Sequence, residues 1–286
     1  MSSAEGEAPR TPPPLPGFLQ AVAAVAQLQL RRLVRGKKLR LAVVTTFAVV
    51  ATILVGHYAG APSEGLSADY AVQRAQASLS EGLRWGFFRL LVFLLPFLLA
   101  SASIGEEVEQ RTFVFLSSRP SGRAAVALGK WVAATSATVT ILVVAVLILH
   151  VGAFATSPRA MVEAVTVDGV AGTGSALLAL VLLSTAYCSI CLFFGALVPE
   201  AAGVSSALYL AVIEFLFSFL PSIFRAISLN YSAQEIAGFE RDGMFAEDAI
   251  AIAPPVAGAA LLAAGLLFGA LAVIVVHTSE YRFSQS

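Results

Sequence analysis

The chain has 286 residues, 58% apolar and 13% charged, with no formal net charge and a mean hydropathy of +0.83. Soluble domains sit near about 45–50% apolar and about 25% charged, so this balance excludes an ordinary soluble domain and describes a membrane protein. Nothing in the neutral charge balance points to nucleic acid.

Residues 1–16 hold five prolines and show no periodicity. They lack the basic start and apolar core of a signal peptide, and composition predicts a disordered or polyproline-II tail. A PxxP ligand is the second reading, behind a plain flexible arm. Residues 17–38 follow, with Leu19, Val22, Ala26, Leu30 and Leu33 at three- and four-residue steps and Gln20, Gln27, Arg31 and Arg35 on another face. That spacing predicts an amphipathic helix lying in the membrane interface beside the first span. The competing reading is a cytosolic extension of that span.

Residues 39–280 predict an all-α membrane domain of six transmembrane helices. A helix needs roughly 20 mostly apolar residues to cross the hydrocarbon layer. The segments are Leu39–Tyr58, Phe87–Ile104, Trp131–Phe154, Ala176–Val198, Ala201–Leu220 and Pro255–Val276. Backbone groups in lipid must be satisfied internally, which favours helices. The alternating short segments of a membrane β-barrel are missing.

Basic residues set the orientation. With both termini on the cytoplasmic side, the inner segments receive Arg10, Arg31, Arg32, Arg35, Lys37, Lys38, Arg40, Arg111, Arg119, Arg123, Lys130 and Arg282. The outer side receives only Arg74, Arg84, Arg89, Arg159, Arg225 and Arg241. The cluster from Arg31 to Arg40 dominates, so the N-terminus is expected inside, in the inner membrane. The outer connection 59–86 is compatible with a helix over Ala71–Leu83. Glycine-rich Gly169–Ser175 reads as a flexible lead into span four. Pro199 and Glu200 alone join spans four and five, which predicts a tight antiparallel hairpin. The outer loop 221–254 alternates apolar patches with charges, and Pro254-Pro255 opens span six.

The stretch IGEEVEQRTFVFLSSRPSGRAAVALGK, Ile104 to Lys130, is a charged bridge between spans two and three. Glu106, Glu107 and Glu109 precede Arg111, the order favoured by the helix dipole. Thr112, Phe113, Phe115 and Leu116 follow, and Pro120 and Gly122 end the helix. Thr112 to Pro120 is eight residues, Pro120 to Arg123 is three, and Gly129-Lys130 come soon after. A short helix with a charged end and exposed aromatics suits docking into a groove of a cytosolic partner. The alternative is an interfacial loop held by lipid headgroups.

This spacing resembles the cytosolic loop of permease subunits of ABC-2-type ABC transporters, which read E-x-E-x-(G/R)-T-(L/F), then Pro, Arg and Gly-Lys. Arg111 and Gly122 stand where many relatives have Gly and Ser, and neither departure breaks the pattern. The resemblance implies that residues 104–123 form the coupling loop, with Glu106, Glu107, Glu109, Arg111, Thr112, Phe113, Pro120 and Arg123 meeting an ATP-binding-cassette ATPase on another polypeptide. It also implies that residues 17–38 are the family's elbow helix, that 221–254 carries short re-entrant helices, and that a second permease subunit, identical or a close paralogue, completes a twelve-span dimer in contact with membrane lipids. The chain itself carries no Walker A pattern, so no cofactor is expected on it, and ATP with Mg belongs to the partner. The expected function is export of a cargo that the residues do not name. Two other classes stand beside it: a non-transporting module driving assembly or signalling of an envelope machine, and an ion-coupled secondary transporter. The second normally has repeated halves and several midplane acids, and this chain shows neither.

Arg89 and Glu214 intrude into spans two and five, where ionisable residues are functional candidates. Arg89 lies 15 residues from Ile104 and Glu214 lies 13 from Ala201, about 22 and 20 Å at 1.5 Å per residue. The matched depths predict either an interhelical clamp or a shared polar lining of a translocation path, and both readings stand open. Gly265 and Gly269 form GxxxG in span six, as do Gly56 and Gly60 at the end of span one, which predicts close helix approach. Pro96 predicts a kink in span two. Cys188 and Cys191, at i, i+3 in an apolar span, read as small packing residues rather than a redox pair. His57, His150 and His277 sit far apart at span ends and make no metal site.

Overall fold

A computed structural model describes residues 17–60, 67–101, 103–105, 122–217, 226–239 and 251–279, and these are helical throughout apart from turns and short connections. Helix α1, Phe18–Arg35, ends at Gly36, whose extended backbone turns the chain sharply into α2, Lys37–Ala59. A side chain at Gly36 would meet the Arg32 and Leu33 carbonyls at 3.2 Å, so the corner favours glycine. Along α1, Ala21, Ala26 and Leu33 are buried while Phe18, Leu19 and Leu28 are exposed. One apolar edge therefore packs on the protein and another is left for lipid.

Helix α3, Ala68–Glu81, runs directly into a π-helical stretch, Gly82–Leu91, and then α4, Val92–Ala100. The predicted connection 59–86 is thus largely helix. Ser67 caps its start by accepting from the Tyr70 amide. Nothing after it halts the helix, because Gly82 and Gly86 sit where α2 presses in: a Cβ there would come within 2.8 and 2.9 Å of Ile53. Pro96 lies inside α4 and is buried.

Helix α5, Gly122–Phe154, starts at a glycine with φ +72°, a left-handed conformation that disfavours other residues. The short α6, Pro158–Ala164, leads to α7, Val167–Leu197. Gly169–Ser175 is therefore the first part of a helix rather than a flexible lead. Thr166 starts it by capping the Gly169 amide, and the tertiary packing of the long helix overrides the weak intrinsic preference of the glycines. A 3₁₀ turn at Pro199–Ala201 reverses the chain into α8, Ala202–Tyr209, and a second π-helical stretch, Leu210–Leu216. Helix α9, Leu229–Ala237, and α10, Pro254–Thr278, complete the described chain.

Among the described residues five helical runs are long and apolar enough to cross a membrane: Lys37–Ala59, Asp69–Gly105, Gly122–Phe154, Gly169–Leu197 and Pro254–Thr278. The chain is a multi-pass membrane protein. The expected sixth, 201–220, does not reach that length among the described residues, because its helix changes to π geometry at Leu210 and its described part ends at Phe217.

Helix α7 forms the centre, with Leu180, Leu183, Tyr187, Cys188, Ile190 and Cys191 all fully buried. The two cysteines are free, and the Cys188 thiol lies 3.7 Å from the Thr138 hydroxyl. Gly265 and Gly269 of α10 face α7, where added Cβ atoms would sit 3.6 Å from Ala186 and 3.7 Å from Ser189 Oγ. The GxxxG of span six therefore serves packing within one chain. The Gly56/Gly60 pair does not: Gly56 faces open space and Gly60 lies against the Arg74 guanidinium.

Candidate functional site

Two polar centres stand out, one at the 104–123 bridge and one partway along the second and fourth spans. The first frames the 104–123 bridge. Glu106, Glu107, Glu109, Arg111, Thr112, Phe113 and Pro120 lie outside the described residues, but both ends of the bridge are fixed. On one side, Ile104 is buried with Val126, Ala127, Leu192, Ala196, Ala272 and Val276. Gly105 lies so close to the α7–α8 turn that a Cβ would stand 2.7 Å from the Pro199 carbonyl oxygen. On the other side, the two residues of the Gly129-Lys130 motif have separate roles. A Cβ on Gly129 would fall 2.6 Å from Val25 Cβ and 2.9 Å from the Val22 carbonyl oxygen, so glycine lets α1 cross α5 in direct contact. The fully buried Lys130 ammonium donates to the Ser103 carbonyl, tying span three to the start of the bridge.

Arg123, expected at the coupling surface, is placed against α10. Its guanidinium donates to the Ser279 and His277 carbonyls at 3.2 and 3.4 Å. A cation there satisfies carbonyls that the helix end leaves open.

The second centre is Glu214, fully buried in the π-helical stretch after α8. Its Oε2 accepts from the Tyr187 hydroxyl at 2.8 Å, the Ser228 hydroxyl at 3.0 Å and the Asn230 amide at 3.2 Å. Tyr209 donates to Oε1 at 3.4 Å. Every partner is a donor, and the set joins α7, α8 and the N-terminus of α9, where a helix favours negative charge. Ser228 also caps α9. Asn230 carries the connection onward by donating its Nδ2 to the Phe88 carbonyl at 2.9 Å, and Phe88 packs edge-on against Phe239. Helix α9 is thus pinned between spans two and four and the α8 helix.

Arg89 does not join this set. Its guanidinium lies 4.2 Å over the Trp85 ring, and it is not among the donors that the Glu214 carboxylate accepts from. Residue rise gives depth but not direction around the helix axis. Glu214 turns toward α7 and α9, whereas Arg89 lines a cleft of about 280 Å³ with Phe93, Phe97, Leu210 and Ala211.

The ABC-2 family transporter model matches residues 23–240. The chain belongs to that family. Its members are membrane components of transporters, and the match runs from within α1 through α9 and takes in the whole 104–123 bridge. A search of curated proteins finds no match.

Tyr187, Tyr209, Ser228 and Asn230 are the site residues that the sequence reading did not single out. For α9 a signal existed: Ser228 before an apolar-periodic run and Gly238 after it are start and stop marks, and Gly238 does adopt φ +71° there.

Proposed function

We propose that this ABC-2 family chain is the permease subunit of an exporter whose ATP hydrolysis resides on a separate cassette ATPase. Both termini face the cytoplasm, ATP and Mg bind the ATPase, and two permease subunits assemble across the membrane. The 104–123 bridge docks on the ATPase, and Glu107, Glu109, Arg111 and Phe113 make the contact. The observation that carries this reading is the rigid framing of the bridge. Its start is buried against the α7–α8 turn and clamped by Lys130, and its end continues into α5 under α1. A push on the bridge is passed through those two ends to spans two and three and to α1.

Movement at the bridge reaches the Glu214 centre through the second span. That span carries a wide π-helical stretch and is fastened to α9 by Asn230, and π segments occur often at functional positions. The cleft between α4 and α8, apolar except for Arg89, lies where displacement of spans two and five would open a path. The test is affinity purification of the tagged chain from its own cells. A cassette ATPase should come with it, and the isolated chain should have no ATPase activity. Purification without any such ATPase under conditions that preserve membrane complexes overturns the reading.

A further inference from the structure

We propose that the cavity between α2 and α3 is an anion site that takes a phosphodiester group. The cavity holds about 490 Å³, within the range of small-molecule sites. It is lined by Thr52, His57, Arg74, Ser78, Glu81 and Trp85. It lies at the end of α2 remote from the Arg31–Arg40 basic cluster and owes nothing to the coupling bridge.

The case rests on Arg74. Its Nη2 donates to the His57 carbonyl at 2.6 Å, while its buried Nε finds no hydrogen-bond partner. No carboxylate pairs with it among the described residues, where the ion pair present is Arg159 with Asp69. Among the described residues this guanidinium, held beside a membrane span, has only a backbone carbonyl for company and is short of one anion. Its planar donor fork suits phosphate oxygens. The imidazole of His57 is locked through Nδ1 at 2.7 Å from Ser78 Oγ, which fixes the wall beside Arg74. Gly56 leaves the floor open, since a Cβ there would meet nothing within 4 Å.

Glu81 sets the charge preference. It is exposed, lies two turns below Arg74 on the same lining, and adds a negative charge that disfavours a dianion. A phosphodiester, with one negative charge, fits this pairing better than a free phosphate or a monoester. Such a group occurs in lipid headgroups and in soluble glycerophosphodiesters, and both present the same chemistry to Arg74.

Calorimetric titration of the detergent-purified full chain tests the site with three probes: dihexanoyl phosphatidylethanolamine, glycerophosphoethanolamine and inorganic phosphate. Binding of the short-chain lipid, with or without the glycerophosphodiester, is expected. Binding of both assigns the site to the headgroup alone, whereas binding of the lipid only assigns it to a membrane lipid. Arg74→Gln should weaken binding by about tenfold or more, the loss of one charge-assisted contact. Gly56→Leu fills the floor without touching a polar group and should do the same even if Arg74→Gln folds poorly. Glu81→Gln should admit inorganic phosphate. Equal binding by the parent chain and Gly56→Leu, or no binding of either phosphodiester by the parent, overturns the proposal.

Discussion

The hydroxyl of Tyr187 donates to Oε2 of Glu214 at 2.8 Å, and both side chains are fully buried. This one bond joins the central helix α7 to the segment after α8. The same carboxylate oxygen holds the first residues of α9 through Ser228 and Asn230. Glu214 is therefore the point where three separate stretches of chain meet, and its loss should be felt in all of them.

Glu214→Leu should lower thermal stability more than Tyr187→Phe. Leucine strands several buried donors, each costing about 1–3 kcal/mol when left without an acceptor. Phenylalanine removes one donor and leaves the carboxylate its other partners, a loss of about 1.5–3 kcal/mol for a bond to a charged group. Glu214→Gln keeps one acceptor but turns an NH₂ toward donors, so it should fall between. Adding Arg89→Leu to Glu214→Leu should rescue nothing, because Arg89 is not among the carboxylate's partners. Unfolding midpoints of the purified variants in detergent decide this. Recovery of stability in the double variant would restore the interhelical clamp.

Gly129→Ala should loosen α1 from α5. The added methyl would start 2.6 Å from Val25 Cβ, a distance that forces a shift. Overpacking of this kind costs about 1–3 kcal/mol. Because α1 lies at the predicted membrane interface, the change should also expose its connection to proteolysis near Gly36. A protease time course on membranes, compared with the parent, reads this directly. Unchanged cleavage together with unchanged stability would show that α1 does not rest on Gly129.

How much of this was legible in the residues depends on what each signal encodes. Hydropathy marks lipid-facing bulk, so it located the five long helices but cut span two short at Phe87. The residues before it, Arg84, Glu81 and Arg74, are polar, although the chain is helical through them, in α3 and the π-helical stretch that follows, beside α2. Glycines at 169, 172 and 174 read as breakers because a sequence does not display the cap that Thr166 supplies. Glu214 stood out as a charge in an apolar segment. Its partners did not, because Tyr187, Tyr209, Ser228 and Asn230 come from different elements with no shared spacing. The Gly129-Lys130 pair was visible as a motif, but only the packing explains why one residue must be small and the other long.

Lys130→Met should separate stability from coupling. The ammonium is buried and donates to the Ser103 carbonyl, so methionine fills similar volume while leaving that carbonyl without this donor. A moderate loss of about 1–3 kcal/mol is expected. Lysine's reach to Ser103 also ties the bridge's start to span three, so transport per ATP hydrolysed by the reconstituted complex should fall. A variant with lowered stability but normal transport stoichiometry would mark Lys130 as a purely structural clamp.

The sharpest comparison concerns residues that the family spacing groups together and the structure divides. Arg123 donates to the Ser279 and His277 carbonyls at the end of α10. Arg123→Ala should therefore fray that helix end, at a cost of about 0.3–1 kcal/mol, and leave ATPase binding near the parent level. Glu107→Lys and Phe113→Asp lie in the middle of the bridge, beyond its fixed ends, where an ATPase groove would seat the charged and aromatic face. Each should abolish co-purification of the ATPase while the membrane level of the chain stays normal. The three variants are to be compared in one pull-down, with chain abundance measured in the same membranes. Loss of binding by Arg123→Ala with retention by the other two would move the docking surface from the bridge to the junction of α5 and α10.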